Sequence, residues 1–190
     1  MQKLLNEFIE MMKDKDIYNE AGIQFELGFF LRNQKSLSNY KIQLERNIDY
    51  FGLNKIYFSK KEMDIVIFDE NKDKKSCIEL KFPRKSNGQV PEQMFKACKD
   101  IYFLEQLVNS GFESSYFIFF TDNDSFYHGQ NENGIYGIFR NNGEITGTIE
   151  KPTGNQAESI NIEGKYKINW QNIRDDLKYF IIEVNPKKNK

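Results

Sequence analysis

The chain has 190 residues and a net charge of −1, a length that fits one domain with a real core and a balance that does not by itself announce a nucleic-acid binder. Hydrophobic residues make up 39% and aromatics 15%, which excludes a disordered chain, and no apolar run approaches the roughly 20 residues that a membrane-spanning helix needs. The first ten residues carry acids inside their apolar pattern and lack the apolar core of a signal peptide, and Cys77 and Cys98 are too few for a disulfide framework or a Cys-rich zinc site; buried thiols in a reducing cytoplasm are the expectation.

Taken in order, residues 2–14 read as an amphipathic helix, with Leu4, Leu5, Phe8, Ile9, Met11 and Met12 at helical spacing. Residues 19–33 read as a second helix with Asn19 as N-cap, because its side chain can accept from an orphan backbone N–H. At about 100° per residue, Ile23, Leu27, Phe30 and Leu31 form one stripe, Glu20 lies near its middle and Glu26 towards its edge. A carboxylate on a core-facing stripe is costly unless paired or bound to a cation, so Glu20 is preferred over Glu26 as a functional acid; the plainer alternative is service to the helix N-terminus. Residues 42–51 read as a first strand with ragged alternation, and 55–59 as a short strand or turn.

Residues 62–69 and 75–83 form two further strands, joined by a polar turn and so expected to pair antiparallel. On the second, Cys77, Glu79 and Lys81 point one way, and Ile78, Leu80 and Phe82 the other. Pro91 opens a helix over 91–110 that Gly111 stops, and Ser115 to Thr121 is nearly all apolar, as a central strand covered on both faces would be. A strand, a crossover helix and another strand predict a parallel pairing. Beyond residue 122 the reading is β-rich: a hairpin of 135–140 with 144–149 around Asn141-Asn142-Gly143, a second hairpin within 159–170 around Glu163-Gly164-Lys165, a helical turn near 171–177, a last strand over 179–184 and a frayed tail.

The chemistry concentrates on Asp64, Glu79 and Lys81. Asp64 and Glu79, on neighbouring strands, can present carboxylate oxygens to one Mg²⁺, which prefers oxygen ligands and takes one or two carboxylates alongside waters and phosphate. Lys81, on the same face as Glu79, can hold a water and stabilise charge on an attacked phosphate, and Glu20 can complete the site. The plain alternative makes Glu79 and Lys81 solvent-face residues of an amphipathic strand. The lone histidine, His128, lies in a polar loop, which excludes a His-rich zinc site, and there is no phosphate-cradling glycine loop.

In these residues the sequence resembles the PD-(D/E)XK nuclease superfamily. Asp64, Glu79-Leu80-Lys81, the upstream helix with Glu20 and the helix–strand pair over 91–121 carry the likeness, which spans residues 17–122. Met63 stands where many members have Pro, and Ala97 where some have a Tyr four residues after Gln93. The resemblance implies an α/β (α+β) restriction-endonuclease-like domain, with a mixed sheet in α-β-β-β-α-β order and a β-rich extension over 126–185. It implies Asp64, Glu79 and the Leu80 carbonyl as ligands of Mg²⁺, with Mn²⁺ able to substitute, and Lys81 as catalytic lysine. It further implies DNA as substrate, with RNA as an alternative, and a homodimer. Gln93, Arg84 and Lys85 are secondary substrate-binding candidates, and Tyr136, Arg140, Lys165, Lys167 and Trp170 are recognition candidates in the extension. The competing class is a catalytically silent nuclease-like module that binds nucleic acid or protein.

Overall fold

A mixed α/β arrangement follows from two apolar faces on one sheet. The computed structural model describes residues 1–140, 143–152, 154, 157–174 and 176–187. In chain order the elements are α1 (Gln2–Met11), α2 (Glu20–Arg32), β1 (Lys41–Asn47), β2 (Glu62–Phe68), β3 (Lys75–Lys81), α3 (Val90–Asn109), β4 (Ser115–Thr121), α4 (Ile135–Phe139), β5 (Glu144–Glu150), β6 (Ser159–Lys167), β7 (Gln171–Arg174) and β8 (Leu177–Val184). Six strands form one sheet in the order β1-β2-β3-β4-β8-β7, while β5 and β6 pair as a separate ribbon. Only β3 and β4 run parallel, joined by the long helix α3; the other neighbours are antiparallel. Among the described residues no helix is long and apolar enough to cross a membrane.

Alternation along the strands feeds two cores. Ile65, Ile67, Ile78, Leu80, Phe82, Ile118 and Phe120 pack against Leu5, Phe8, Ile23, Leu27 and Leu31 of α1 and α2. Val66, Phe68, Cys77, Phe117 and Phe119 pack against α3 through Met94, Cys98, Ile101 and Leu104. Every residue of β4 is buried, as its unbroken apolar run requires of a strand covered on both faces. Phe119 sits at the centre of the second core, stacked 5.2 Å from Phe180 and edge-on 5.7 Å from Trp170.

Helix ends follow local chemistry. Asn19 caps α2 by accepting from Gly22 N–H at 2.9 Å. Gly111, at φ 92°, turns the chain after α3 in a conformation that other residues rarely adopt.

Four expectations need correction. The first strand ends at Asn47, whose side chain accepts from Asp49 N–H and starts a 3-10 turn over Ile48–Phe51 that Gly52 closes at φ 73°. Residues 135–140 are not a hairpin strand. Ile135–Phe139 is a short helix, which the Arg140 N–H closes onto Tyr136 O at 2.9 Å. Short apolar runs fit either periodicity, and here the turn wins; the Asn141 and Asn142 of the expected hairpin turn lie outside the described residues.

Glu163-Gly164-Lys165 is likewise no hairpin turn. It lies within β6, where the register to β5 jumps from Ile145↔Tyr166 to Gly147↔Ile162. Two extra residues on β6 form a bulge there, which explains the turn-like composition. Finally, residues 171–174 pair with β8 as strand β7 and not as a helical turn; β7 and β8 extend the main sheet beside β4. Of the tail, residues 188–190 lie outside the described residues.

Candidate active site at the opening of strands β2 and β3

The antiparallel ladder of β2 and β3 runs from Phe68↔Lys75 to Ile65↔Ile78 and then stops. The next positions in that register are Asp64 and Glu79, so both point to the α3 side. Where the ladder ends, two backbone N–H groups need other partners. The side chains supply them reciprocally: Asp64 N–H donates to Glu79 Oε1 at 3.1 Å, and Leu80 N–H donates to Asp64 Oδ2 at 2.8 Å. Each carboxylate thus spans the gap and keeps one oxygen facing outward. Glu79 is 0% exposed and Asp64 9%.

The outward oxygens meet a cation. Lys60 Nζ lies 2.8 Å from Asp64 Oδ1, contacts Glu79 Oε2, and is 3.9 Å from Asp100 Oδ1. Asp100 comes from α3 and is buried beneath the site. Its Oδ2 is 3.2 Å from Lys81 Nζ but lacks an aligned hydrogen bond. Lys81 also reaches Glu20 Oε1 at 3.3 Å and donates to Leu80 O at 3.0 Å. Glu20 binds the end of β3 with its other oxygen, accepting from Phe82 N–H at 2.9 Å. Four carboxylates and two ammonium groups therefore converge, the formal sum being −2.

Burial sets the electrostatics. It raises the Glu79 carboxyl well above its ordinary range, the neighbouring Asp64 charge adds to this, and Lys60 opposes it. Asp100 is raised first by burial, against the pull of Lys81 and Lys60. For Lys60, burial disfavours the charge, but Glu79, Asp100 and Asp64 together outweigh it and hold the ammonium protonated. Lys81 is held protonated in the same way, by Asp100, Glu20 and Asp64 against burial. Burial lifts the Cys77 and Cys98 thiols well above their ordinary range, with neighbouring carboxylate charge adding to it.

The structure thus brings together Glu20, Asp64, Glu79 and Lys81. Glu26 stands apart, paired with Lys15 at 3.2 Å. The Leu80 carbonyl is at the site, engaged by Lys81. Arg84 and Lys85 are tied to the end of β4: Arg84 Nε donates to Asp122 at 2.5 Å and Lys85 N–H at 2.6 Å, and a further Arg84 nitrogen reaches Tyr18 O at 2.6 Å. Gln93 lines a cavity of about 380 Å³ with Glu20, Phe82 and Arg84. In the extension, Arg140 is buried, donating to Ser125 O and Asn131 O, and Trp170 donates to Phe139 O at 2.8 Å. Both support the fold by donating to backbone carbonyls, although Arg140 Nε is buried without a hydrogen-bond partner and Trp170 is only half-buried.

Sequence reasoning missed Lys60 and Asp100. Lys60 stands in a Lys60-Lys61 pair just before β2, a pattern that does not mark either ammonium as turned inward. Asp100 had a signal: it lies on the Ala97, Leu104, Leu107 stripe of α3, where an acid needs a partner. A cleft of about 220 Å³ opens above them, lined by Ser59, Lys60, Lys81, Lys96, Lys99 and Asp100. A larger cavity, about 740 Å³, lies beside α1 and the Lys75 end of β3, away from the paired carboxylates.

The donor set is all oxygen, and an ammonium already sits between two of the carboxylates, so the chemistry fits a hard cation. Among the described residues no group of three or more His, Cys, Asp or Glu side chains is placed to hold a metal ion. Two carboxylates suffice for Mg²⁺ when phosphate and water fill the other positions. Comparison with family models, curated proteins and solved structures finds no match.

Proposed function

We propose that the chain is a Mg²⁺-dependent endonuclease that hydrolyses DNA phosphodiester bonds, with a restriction-endonuclease-like core. One observation carries the reading: two buried carboxylates, Asp64 and Glu79, face one cation across the opening of β2 and β3, with Lys81 beside them. The element order from α2 through β1, β2, β3 and α3 to β4 supports this reading. Two buried free thiols suit a reducing cytoplasm.

Asp64, Glu79 and the Leu80 carbonyl would hold the ion. When bound, it supplies Lewis-acid polarisation of the phosphate and a more acidic water. The residues do the rest. Lys81 Nζ orients a nucleophilic water and offsets charge that grows on the phosphate oxygens. Asp100 and Glu20 fix that ammonium from two sides. Lys96, at the cleft wall, favours a phosphate backbone over an uncharged substrate, while Lys99 beside it is paired with Glu158 at 2.5 Å.

The test uses supercoiled and branched DNA, and RNA, with Mg²⁺, Mn²⁺ or EDTA. Wild type should cut only with metal. Lys81→Met should lose about 10²–10³-fold in rate, as expected when one preorganised charge-stabilising donor is removed. Asp64→Ala should be inactive. Cleavage that survives EDTA, or survives both substitutions, refutes the reading. A second reading has an observation of its own: Lys60 neutralises part of the acid cluster without any metal. Nucleic acid bound but never cut would favour that silent module.

A further inference from the structure

We propose that Lys60 is a built-in occupant of the divalent-cation position, which the incoming ion displaces into the lysine-lined cleft; this rests on the nuclease reading above. The geometry points to it in three ways. First, Lys60 Nζ stands where an ion shared by Asp64 and Glu79 would stand, against the outward oxygen of each. Their other oxygens are committed to backbone N–H groups, so the oxygens that both turn to a shared ion are the two that Lys60 holds.

Second, the charge is incomplete. Among the described residues, the ion pairs of Glu20, Asp64, Glu79 and Asp100 at the site run to Lys60 and Lys81, and the buried Asp100 Oδ2 meets Lys81 Nζ at 3.2 Å without an aligned hydrogen bond. One ammonium satisfies part of a cluster that a divalent ion would neutralise, while Lys60 moved only as far as the adjoining cleft would still face a phosphate.

Third, Lys60 can leave without disturbing the fold. The backbone on either side is pinned: Ser59 N–H and Oγ bond Gln106 Oε1, each at 2.9 Å, and Lys61 O accepts from Ile48 N–H at 2.9 Å. Side-chain rotation alone carries the ammonium into the cleft of about 220 Å³ that Lys60 itself lines. The resting protein thereby keeps two buried carboxylates in register before any ion arrives, and the ion must compete for them.

Mn²⁺ affinity, measured by calorimetry and by the paramagnetic signal of the free ion, tests this with no catalysis involved. Removing a competitor that is docked nine-tenths of the time tightens apparent binding about tenfold, so Lys60→Met should bind Mn²⁺ at least that much more tightly than wild type. Its melting temperature without metal should fall and recover with Mn²⁺. Lys60→Arg, which restores a cation, should bind Mn²⁺ much as wild type does. A second measurement needs no variant: acylation of Lys60 in the wild-type protein, followed by mass spectrometry, should accelerate when Mn²⁺ is added. If wild type cuts DNA with Mg²⁺ but Lys60→Met binds Mn²⁺ no more tightly and Lys60 labelling is unchanged by the ion, displacement is wrong and the nuclease reading stands. If wild type neither binds Mn²⁺ at millimolar concentration nor cuts, both fall.

Discussion

Glu105 of α3 holds the β5–β6 ribbon onto the rest of the molecule, and its removal has a calculable cost. The bulge at Glu163-Gly164-Lys165 takes backbone amides out of the ribbon's ladder. The buried Glu105 carboxylate accepts from Glu163 N–H at 3.0 Å, from Gly164 N–H at 2.7 Å and from the Tyr166 hydroxyl at 2.9 Å. Hydrogen bonds to a charged acceptor are worth about 1.5–3 kcal/mol each, but the carboxylate's own desolvation offsets part of the sum. Glu105→Ala strands two amides and a hydroxyl, for a net loss of about 3–5 kcal/mol. Glu105→Gln keeps one acceptor oxygen and sets its amide hydrogens against a donor, for about 1–3 kcal/mol. At about 2–4 °C per kcal/mol for a chain of this size, Ala should lower the melting temperature by about 6–20 °C and Gln by about 2–12 °C. Thermal denaturation followed by circular dichroism, with tyrosine fluorescence in parallel, reads both values. The ribbon shares the α3 core with the main sheet, so one coincident transition is expected. A Glu105→Ala protein that melts like wild type, or whose ribbon melts separately, would falsify the clamp.

Other expectations are simpler. Gly164→Ala should cost about 1–2 kcal/mol, because a new Cβ would collide with the Tyr166 hydroxyl and push it off Glu105; combined with Glu105→Ala it should cost little more, which a double-mutant cycle in urea measures. Asn19→Ala should lose about 1 kcal/mol through the missing cap of α2; an unchanged urea midpoint would contradict that role. Phe119→Ala should lose about 3–5 kcal/mol by opening a cavity among Phe117, Phe126, Phe139, Trp170 and Phe180, and a cost under 1 kcal/mol would show that the site collapses freely.

Much of the framework was legible wherever one periodicity ran long enough. The α3 stripe, the unbroken apolar run of β4 and the alternation of β2 and β3 left little room for another choice, and the parallel pairing of β3 with β4 followed from the helix between them. Local patterns failed where long-range partners decide. Ile135–Phe139 is too short for its apolar residues to distinguish helix from strand, and the turn chemistry of Glu163-Gly164-Lys165 serves a bulge because Glu105 lies beneath it. At the site, Asp64, Glu79, Lys81 and Glu20 could be found from faces and stripes. Lys60 could not: nothing in a Lys-Lys pair before a strand says that one ammonium turns inward. Asp100 could have been found by the rule that singled out Glu20, applied to the next helix.

The interrupted ladder between β2 and β3 also makes the molecule its own gauge. The amide protons of Asp64 and Leu80 are held by carboxylates and not by a neighbouring strand. Anything that redistributes charge on Asp64 or Glu79 must therefore register in the chemical shift and solvent exchange of those two protons, while Ile65 and Ile78, one step inside the ladder, stay still. Two resonances in a nitrogen-edited spectrum of isotope-enriched protein would then follow occupancy of the site directly, without substrate or loss of function.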